Sequence, residues 1–160
     1  PGQLQNGVRN LSFKVRAGSV VGLTGPSGAG KTTVLSLLAR LYDPQAGQIL
    51  LDGEDIRGLD KRWLRRQFAF VTQRPRLLSL SLWENLTLGC LSEPSHGAVQ
   101  EACEAAQIWD LIKDRRRLPN GLHSHVTTEV FSGGELQRLA IARALLIDAP
   151  VLLLDEATSA

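Results

Sequence analysis

The sequence predicts an α/β fold, in which helices alternate with the strands of a mainly parallel sheet. Three observations predict this class. Short apolar runs bounded by glycine indicate strands, helical periodicity alternates with them, and residues 75–129 contain helical patterns only. The 160 residues are 43% apolar and 21% charged, which is typical of one globular domain. We therefore expect a parallel α/β core with an inserted helical subdomain.

The alternating elements lie in the first half of the chain. Residues 11–15 alternate apolar and polar side chains as a strand does, and residues 20–23 predict a second, buried strand. From Lys31 to Asp43, apolar residues recur at intervals of three and four, which predicts an amphipathic helix. The remaining elements are a strand at 48–51 before an Asp-Gly turn, a basic helix at 59–66 and a strand at 68–72.

The second half of the sequence has a different pattern. Between Pro75 and Glu129 no strand is convincing, and helical patterns cover 81–88 and 97–112. A further helix is predicted to run from Ser132 to Asp148, where apolar residues again have helical spacing. The apolar run 151–154 is predicted to be a buried strand.

Charge is divided unevenly along the chain. Residues 1–80 contain 12 basic and 5 acidic side chains, whereas residues 81–160 contain 6 and 11, so the first half favours anionic ligands. One basic stretch is interpreted as a solvated helix face, because aromatic residues are not interleaved with it as in a nucleic-acid patch. Its members are Arg57, Lys61, Arg62, Arg65, Arg66, Arg74 and Arg76.

Composition also bears on membrane and redox properties. No run approaches the roughly 18 apolar residues of a membrane-spanning helix, so any membrane role is expected to be peripheral. Cys90 and Cys103 lack CxxC or metal-ligand spacing and are expected to be reduced thiols. The lack of methionine and the ending just after an apolar run predict a segment of a longer protein.

A glycine-rich loop with a lysine lies between a predicted strand and a predicted helix. It matches G-x-x-x-x-G-K-[ST] in full, in the context that this motif requires. Its backbone N–H groups and the helix N-terminus attract phosphate, the lysine reaches the terminal phosphates, and the first threonine binds Mg²⁺. The predicted nucleotide-binding residues are Gly25, Pro26, Ser27, Gly28, Ala29, Gly30, Lys31, Thr32 and Thr33.

Two carboxylates follow the last predicted strand. Asp155 is placed to support Mg²⁺, and Glu156 is placed one residue further on. A hydrolytic water needs a nearby acceptor, so we predict that Glu156 orients or deprotonates it.

A third motif gives the chain a family resemblance. Ser132 to Glu135 form a capping box at a helix start, between the phosphate loop and the run Asp-Glu-Ala-Thr-Ser-Ala. With these three motifs in order, the chain resembles the nucleotide-binding domain of ATP-binding cassette (ABC) transporters, whose signature is usually written LSGGQ. The resemblance implies a P-loop NTPase core of the ABC ATPase type and an inserted α-helical signature subdomain.

The resemblance also implies ATP and Mg²⁺ as cofactors and ATP hydrolysis as the activity. Gln73 matches the family's Q-loop glutamine. The resemblance therefore implies two catalytic residues, Glu156 and Gln73, and three metal ligands, Thr32, Gln73 and Asp155. The signature residues are expected to contact the γ-phosphate held by a second subunit. They are Ser132, Gly133, Gly134 and Glu135.

Longer stretches resemble the exporter branch of the family, at 38–56, 73–89 and 118–126. This implies a domain on the cytoplasmic face of a membrane, with a transmembrane domain on the same polypeptide. The other implied partner is a second nucleotide-binding domain, identical or different, and no nucleic acid is expected. One incomplete ABC domain is predicted, in three parts: 1–74 with Walker A and Q-loop, 75–135 as helical subdomain, and 136–160 with signature helix and Walker B strand.

The sequence also departs from the family pattern. Three features of the family fall outside the sequence: the aromatic residue that stacks on adenine, the histidine that contacts the γ-phosphate, and most of the D-loop. The D-loop is represented only by its start, at Ser159. The stretch 127–131 is two residues short and lacks glycine. The three histidines are interpreted as solvated loop residues; they are His96, His123 and His125.

Two other functions stay open at this point. One is a soluble ABC-type ATPase that acts on nucleic acid or ribosomes, with the basic stretch as its contact. The other is a nucleotide-binding regulatory module without turnover, which the presence of Glu156 disfavours. A GTPase is disfavoured because no NKxD motif occurs.

Overall fold

The structure, a computed structural model, describes residues 7–155, which form two units that meet in sequence at Arg65 and Arg66. The first unit contains α1 (Lys31–Leu38), β1 (Leu50–Leu51), β2 (Glu54–Asp55) and most of α2 (Lys61–Arg66). The second contains β3 (Phe68–Val71), β4 (Leu80–Ser81), α3 (Leu82–Thr87), α4 (His96–Ala105), α5 (Trp109–Lys113), β5 (His125–Val126), α6 (Gly133–Ile147) and β6 (Val151–Leu154). Three 3-10 turns cover Ile56–Gly58, Gly121–His123 and Thr128–Val130.

The strands predicted at 11–15 and 20–23 are wrong. Both segments have irregular backbone, and within the described residues neither is paired with another strand. Their apolar side chains are exposed, Phe13 by 47% and Val20 fully. Alternation shows which side chains could share a face, but a strand forms only where a neighbouring backbone accepts and donates its hydrogen bonds.

The other predicted elements of the first unit are present, although the strand predicted at 48–51 covers only Leu50–Leu51 and the helix predicted at 59–66 begins at Lys61. Helix α1 ends at Leu38, earlier than predicted, because Arg40 adopts a left-handed φ of 48° and the Leu41 N–H bonds back to the Ser36 carbonyl at 2.9 Å. Strands β1 and β2 pair antiparallel around a turn in which Asp52 has φ 50° and Gly53 φ 89°. These angles are those of a type I′ hairpin turn, which the Asp-Gly pair predicted.

A two-stranded parallel sheet anchors the second unit. Strand β3 pairs with β6 from Phe68 opposite Val151 to Val71 opposite Leu154, so both strands end at the same edge. The predicted strand at 151–154 is therefore confirmed. Its complete burial is wrong, because Leu152 and Leu154 are about half exposed, at 46% and 47%, on the face opposite the buried Leu153.

The helices of the second unit enclose a separate apolar core. The helix predicted at 97–112 is interrupted at Gln107, whose φ is 56°, and this divides it into α4 and α5. Strands β4 and β5 pair antiparallel but were missed by the sequence reasoning, because two residues are too few to show alternation. The largest buried core side chains include Leu82, Leu86, Val99, Ile108, Ile112, Leu118, Val126 and Leu139.

The cysteines and histidines of this unit can be compared with their sequence predictions. Cys90 and Cys103 are free thiols, as expected, and burial raises the pKa of Cys103 to about 12. The three histidines are exposed, as predicted, but they do not lie in loops: His96 opens helix α4, His123 ends a 3-10 turn and His125 belongs to β5. The ring centroid of His96 lies 4.4 Å from that of Trp83. Among the described helices, none is long and apolar enough to cross a membrane.

A buried asparagine fixes the segment that follows β3. Asn85 is fully buried, and its Oδ1 accepts the Leu78 N–H at 2.8 Å. Its Nδ2 donates to the carbonyls of Leu78 and Ser81 at 2.9 and 3.0 Å. The Asn85 carbonyl in turn accepts Arg143 Nε of α6 at 2.7 Å. The chain between β3 and α3 is thus tied to the start of α3 and to helix α6.

Replacing Asn85 by alanine is expected to lower the free energy of unfolding by about 2–4 kcal/mol, because the buried side chain no longer accepts the Leu78 N–H or donates to the carbonyls of Leu78 and Ser81. Gln100→Ala is the matched control, since it removes only an exposed bond to Glu104 and should stay within about 0.5 kcal/mol of the parent. Urea unfolding of the protein measures both. Equal midpoints for the two variants would contradict this role of Asn85.

Candidate nucleotide-binding site

The predicted phosphate loop leads directly into helix α1. Gly28 and Gly30 adopt left-handed φ values of 79° and 90°, which glycine reaches without strain. Gly30 is also the cap residue of α1, and a Cβ at this position would lie only 2.9 Å from Val8 Cγ2. Glycine has no side chain that could cap a helix, and no side-chain hydrogen bond caps the start of α1.

Lys31 folds back across this loop. Its Nζ donates to the carbonyl oxygens of Gly25 at 2.8 Å and Pro26 at 3.0 Å, which closes residues 25–31 into a ring. Both of these acceptors are neutral carbonyls, so the two bonds do not compensate the charge of the ammonium. The loop is exposed, and Thr32 and Thr33 occupy the exposed first turn of α1. The geometry suits phosphate binding, and the assignment of nucleotide contacts to these residues stays a prediction.

The second unit places two further predicted residues at one edge of its sheet. Gln73 follows β3 by two residues, and Asp155 directly follows β6. The Asp155 N–H donates to the Val71 carbonyl at 2.9 Å, so the parallel pairing continues one residue past β6. Asp155 is only 6% exposed, whereas Gln73 is exposed. An acid at the carboxyl edge of a parallel strand is in the usual position for a ligand site.

The other predicted metal-binding and catalytic residues lie outside the described part of this unit. Glu156 and the start of the D-loop at Ser159 lie outside the described residues. Thr32, the third predicted metal ligand, belongs to the first unit. Between residues 7 and 155, no group of three or more His, Cys, Asp or Glu side chains is arranged to hold a metal. That result does not test the predicted ligands, since two of the three are threonine and glutamine.

The signature segment forms the start of α6, as predicted. The Glu135 N–H donates to Ser132 Oγ at 3.3 Å, and the Ser132 N–H donates to Glu135 Oε2 at 2.7 Å, which is the reciprocal bonding of a capping box. A Cβ added at Gly133 would meet no atom within 4 Å, and one at Gly134 would meet only Arg138 Nη1, at 3.7 Å. The helix start therefore has open space on its glycine side.

An arginine that the sequence reasoning missed binds this segment. Arg117 Nη1 and Nη2 lie 2.6 and 3.1 Å from the two carboxylate oxygens of Glu135. This arginine, together with the bonds from Ser132, lowers the pKa of Glu135 to about 2. Glu135 is therefore ionised at neutral pH. No spacing rule connects residues 18 positions apart, so the sequence carries no signal for this pair.

The basic stretch is exposed, as predicted, but it is not one helix face: Arg57 lies in the 3-10 turn Ile56–Gly58, and Arg74 and Arg76 follow β3 outside any helix. Lys61, Arg62 and Arg65 are exposed on α2, around the fully buried Leu64. Arg57 forms an ion pair with Asp55 at 2.6 Å, which raises the pKa of the arginine and lowers that of the acid. Nothing in the described contacts of this stretch singles out nucleic acid.

Comparisons with known proteins give the chain its family. The ABC transporter family model matches residues 8–159. A β-(1→2)glucan export ATP-binding/permease protein of Rhizobium etli is 48% identical over 99% of this chain and 27% of the relative. An ATP-dependent lipid A-core flippase of Methylobacillus flagellatus is 46% identical over 94% of this chain and 26% of the relative.

A solved structure gives the same result at the level of the fold. It is a bacterial Atm1-family ABC exporter with ATP bound, which superimposes with a TM-score of 0.85 at 44% identity. The match covers 94% of this chain and 26% of that chain. The chain thus spans about a quarter of the length of the relatives it matches. It belongs to the ABC transporter family and is a P-loop ATP-binding domain of the type found in exporters.

Proposed function

We propose that this chain binds MgATP, hydrolyses it and thereby powers export across a membrane. The observation that carries the proposal is the ring formed by Lys31 over the carbonyls of Gly25 and Pro26 at the start of α1. This arrangement places the Lys31 ammonium group against the glycine-rich loop, at the start of a helix that no side chain caps. A nucleoside triphosphate is the ligand that this combination of positive charge and hydrogen-bond donors favours.

We assign Mg²⁺ to Thr32, Gln73 and Asp155, and the catalytic base to Glu156. Hard oxygen donors of this kind are the ligands that Mg²⁺ takes in phosphoryl-transfer sites, and the cation neutralises charge on the phosphates when it is bound. The support is the edge that Gln73 and Asp155 share. Glu156 is expected to accept a proton from the attacking water, with Gln73 helping to orient that water.

We further propose two partners. The first is a second nucleotide-binding domain, identical or different, whose phosphate loop holds a nucleotide. The γ-phosphate of that nucleotide is expected to contact Ser132, Gly133, Gly134 and Glu135, and the open space at Gly133 supports this. A transmembrane domain on the same polypeptide is supported by the relative named as an ATP-binding/permease protein. The chain would then lie on the cytoplasmic face of the membrane. Residues 1–74 and 136–160 would form the ATP-binding core, and residues 75–135 would form the helical subdomain.

Removal of the metal is the experiment that tests this proposal. Phosphate release from ATP by the protein that carries this chain is expected to fall to the background rate in excess EDTA and to return when Mg²⁺ is added in excess of EDTA. The physical reason is that the phosphate charges are then left without a counter-cation. Turnover that persists unchanged in EDTA would contradict the assignment of Mg²⁺.

A further inference from the structure

Arg117 lies between α5 and the 3-10 turn Gly121–His123, outside the signature, yet it contacts the chain on both sides of Ser132. Its Nη1 bonds to Glu135 Oε1 at 2.6 Å, and its Nη2 bonds to Glu135 Oε2 at 3.1 Å. The same Nη2 bonds to the Val130 carbonyl at 2.9 Å. One guanidinium group therefore connects the backbone before Ser132 with the first turn of the helix after it.

These contacts leave Glu135 with both carboxylate oxygens engaged. Oε1 accepts from Arg117, and Oε2 accepts from Arg117 and from the Ser132 N–H. The Glu135 side chain is 13% exposed and the Arg117 side chain 39% exposed, so the pair is only partly screened by water. A bidentate pair of this geometry fixes the position of the carboxylate as well as its charge.

The charge matters because Glu135 is beside donors that suit an anion. The helix start at Ser132 has open space at Gly133, and Glu135 belongs to the first turn of the same helix. Without Arg117, this carboxylate would carry an uncompensated charge that repels a phosphate, and only its bond from the Ser132 N–H would hold its position. Paired with Arg117, its charge is compensated and it holds the Ser132 backbone in place.

We propose that Arg117 is a positioning residue for the signature: it compensates and orients Glu135, so that the start of α6 can accept the phosphate of a bound nucleotide. This inference rests on the proposed function. Its effect is expected on turnover and not on nucleotide binding by the phosphate loop, because the Arg117 guanidinium bonds to Val130 and Glu135, which both belong to the second unit.

A double-mutant cycle tests the inference in the protein that carries this chain. Arg117→Ala is expected to lower kcat about tenfold, or about 1.4 kcal/mol, with ATP affinity within about twofold of the parent. In the Glu135→Gln background, the same Arg117→Ala change is expected to alter kcat less than about twofold, because no carboxylate is left to compensate. Arg116→Ala is the control, since it removes an equal charge from the neighbouring exposed residue.

Unfolding curves of every variant identify the temperature at which all are folded, and rates are compared there. Should Arg117→Ala not fold, Arg117→Lys replaces it, because lysine keeps the charge but cannot engage both oxygens in parallel. The deciding quantity is the ratio of two losses of kcat from the Arg117 change, one measured with glutamate at position 135 and the other in the Glu135→Gln background.

The inference would be overturned if Arg117→Ala lowered kcat by the same factor in the parent and in the Glu135→Gln background. It would also be overturned if kcat of Arg117→Ala equalled that of Arg116→Ala. A parent protein without MgATP turnover would instead overturn the proposed function, before any comparison of variants.

Discussion

Lys31→Ala is expected to abolish measurable ATP binding, with a loss of affinity of at least about 100-fold, or about 2.7 kcal/mol. The change removes the positive charge at the phosphate loop. It also removes the two bonds to the carbonyls of Gly25 and Pro26 that close the loop, so the backbone donors lose their arrangement. Titration of the protein with a fluorescent ATP analogue measures the affinity.

Lys61→Ala provides the matched control for this experiment. It removes the same charge from an exposed residue of α2, outside the loop. Its affinity for ATP is expected to stay within about twofold of the parent, since long-range charge effects are screened by salt. An unchanged affinity in Lys31→Ala would show that the phosphate loop is not the nucleotide site.

Glu156→Gln is expected to keep ATP binding and to reduce hydrolysis by about 10² to 10⁴. The amide cannot accept a proton from water, whereas Asp155 and the phosphate loop are left intact. A nucleotide-bound dimer should therefore accumulate, which gel filtration with ATP and Mg²⁺ detects. Steady-state phosphate release measures the loss of turnover.

Asp148→Asn is the control for this carboxylate-to-amide change. Asp148 is exposed at the end of α6 with a left-handed φ of 48°, a conformation that asparagine also accepts. Its rate is expected to match that of the parent. Phosphate release by Glu156→Gln at the parent rate would show that Glu156 is not the catalytic base.

The sequence predicted those parts of the fold whose structure depends on near neighbours. Helix α6 has a capping serine, a glutamate three residues later and apolar residues at helical spacing, and the structure contains each of these features. The Asp52-Gly53 turn and helix α1 likewise follow from local rules, and strand β3 appears within one residue of its prediction. Local patterns of this kind fix an element without reference to distant residues.

The errors concern pairing between distant segments. Residues 11–15 have the alternation of a strand but no strand partner in the part of the chain that the structure describes. Conversely, β4 and β5 are strands because Leu80 pairs with Val126, a distant position that neither segment reveals by itself. The same reasoning explains why Arg117 was missed, since its contact with Glu135 depends on the packing of the helical core.

The predictions of the phosphate loop and of an acid after the last strand, Asp155, rest on short motifs, whereas the role proposed for Gln73 came from family resemblance. Glycine, lysine and threonine at fixed spacing predict an anion site whichever fold surrounds them. The roles of Ser132 and Glu135 beyond helix capping came from family resemblance and not from the residues alone. The compensation of the Glu135 charge required the structure.

We propose that nucleotide held by the phosphate loop is hydrolysed only when it also contacts the signature of a second nucleotide-binding domain. The most direct test measures ATP binding and phosphate release together in Ser132→Arg, with Ser95→Arg as control because Ser95 Oγ also accepts the N–H of the third residue after it, at the start of α4. We predict ATP affinity within about twofold of the parent and a loss of hydrolysis of at least about 100-fold for Ser132→Arg alone. Hydrolysis at the parent rate in Ser132→Arg would contradict the claim.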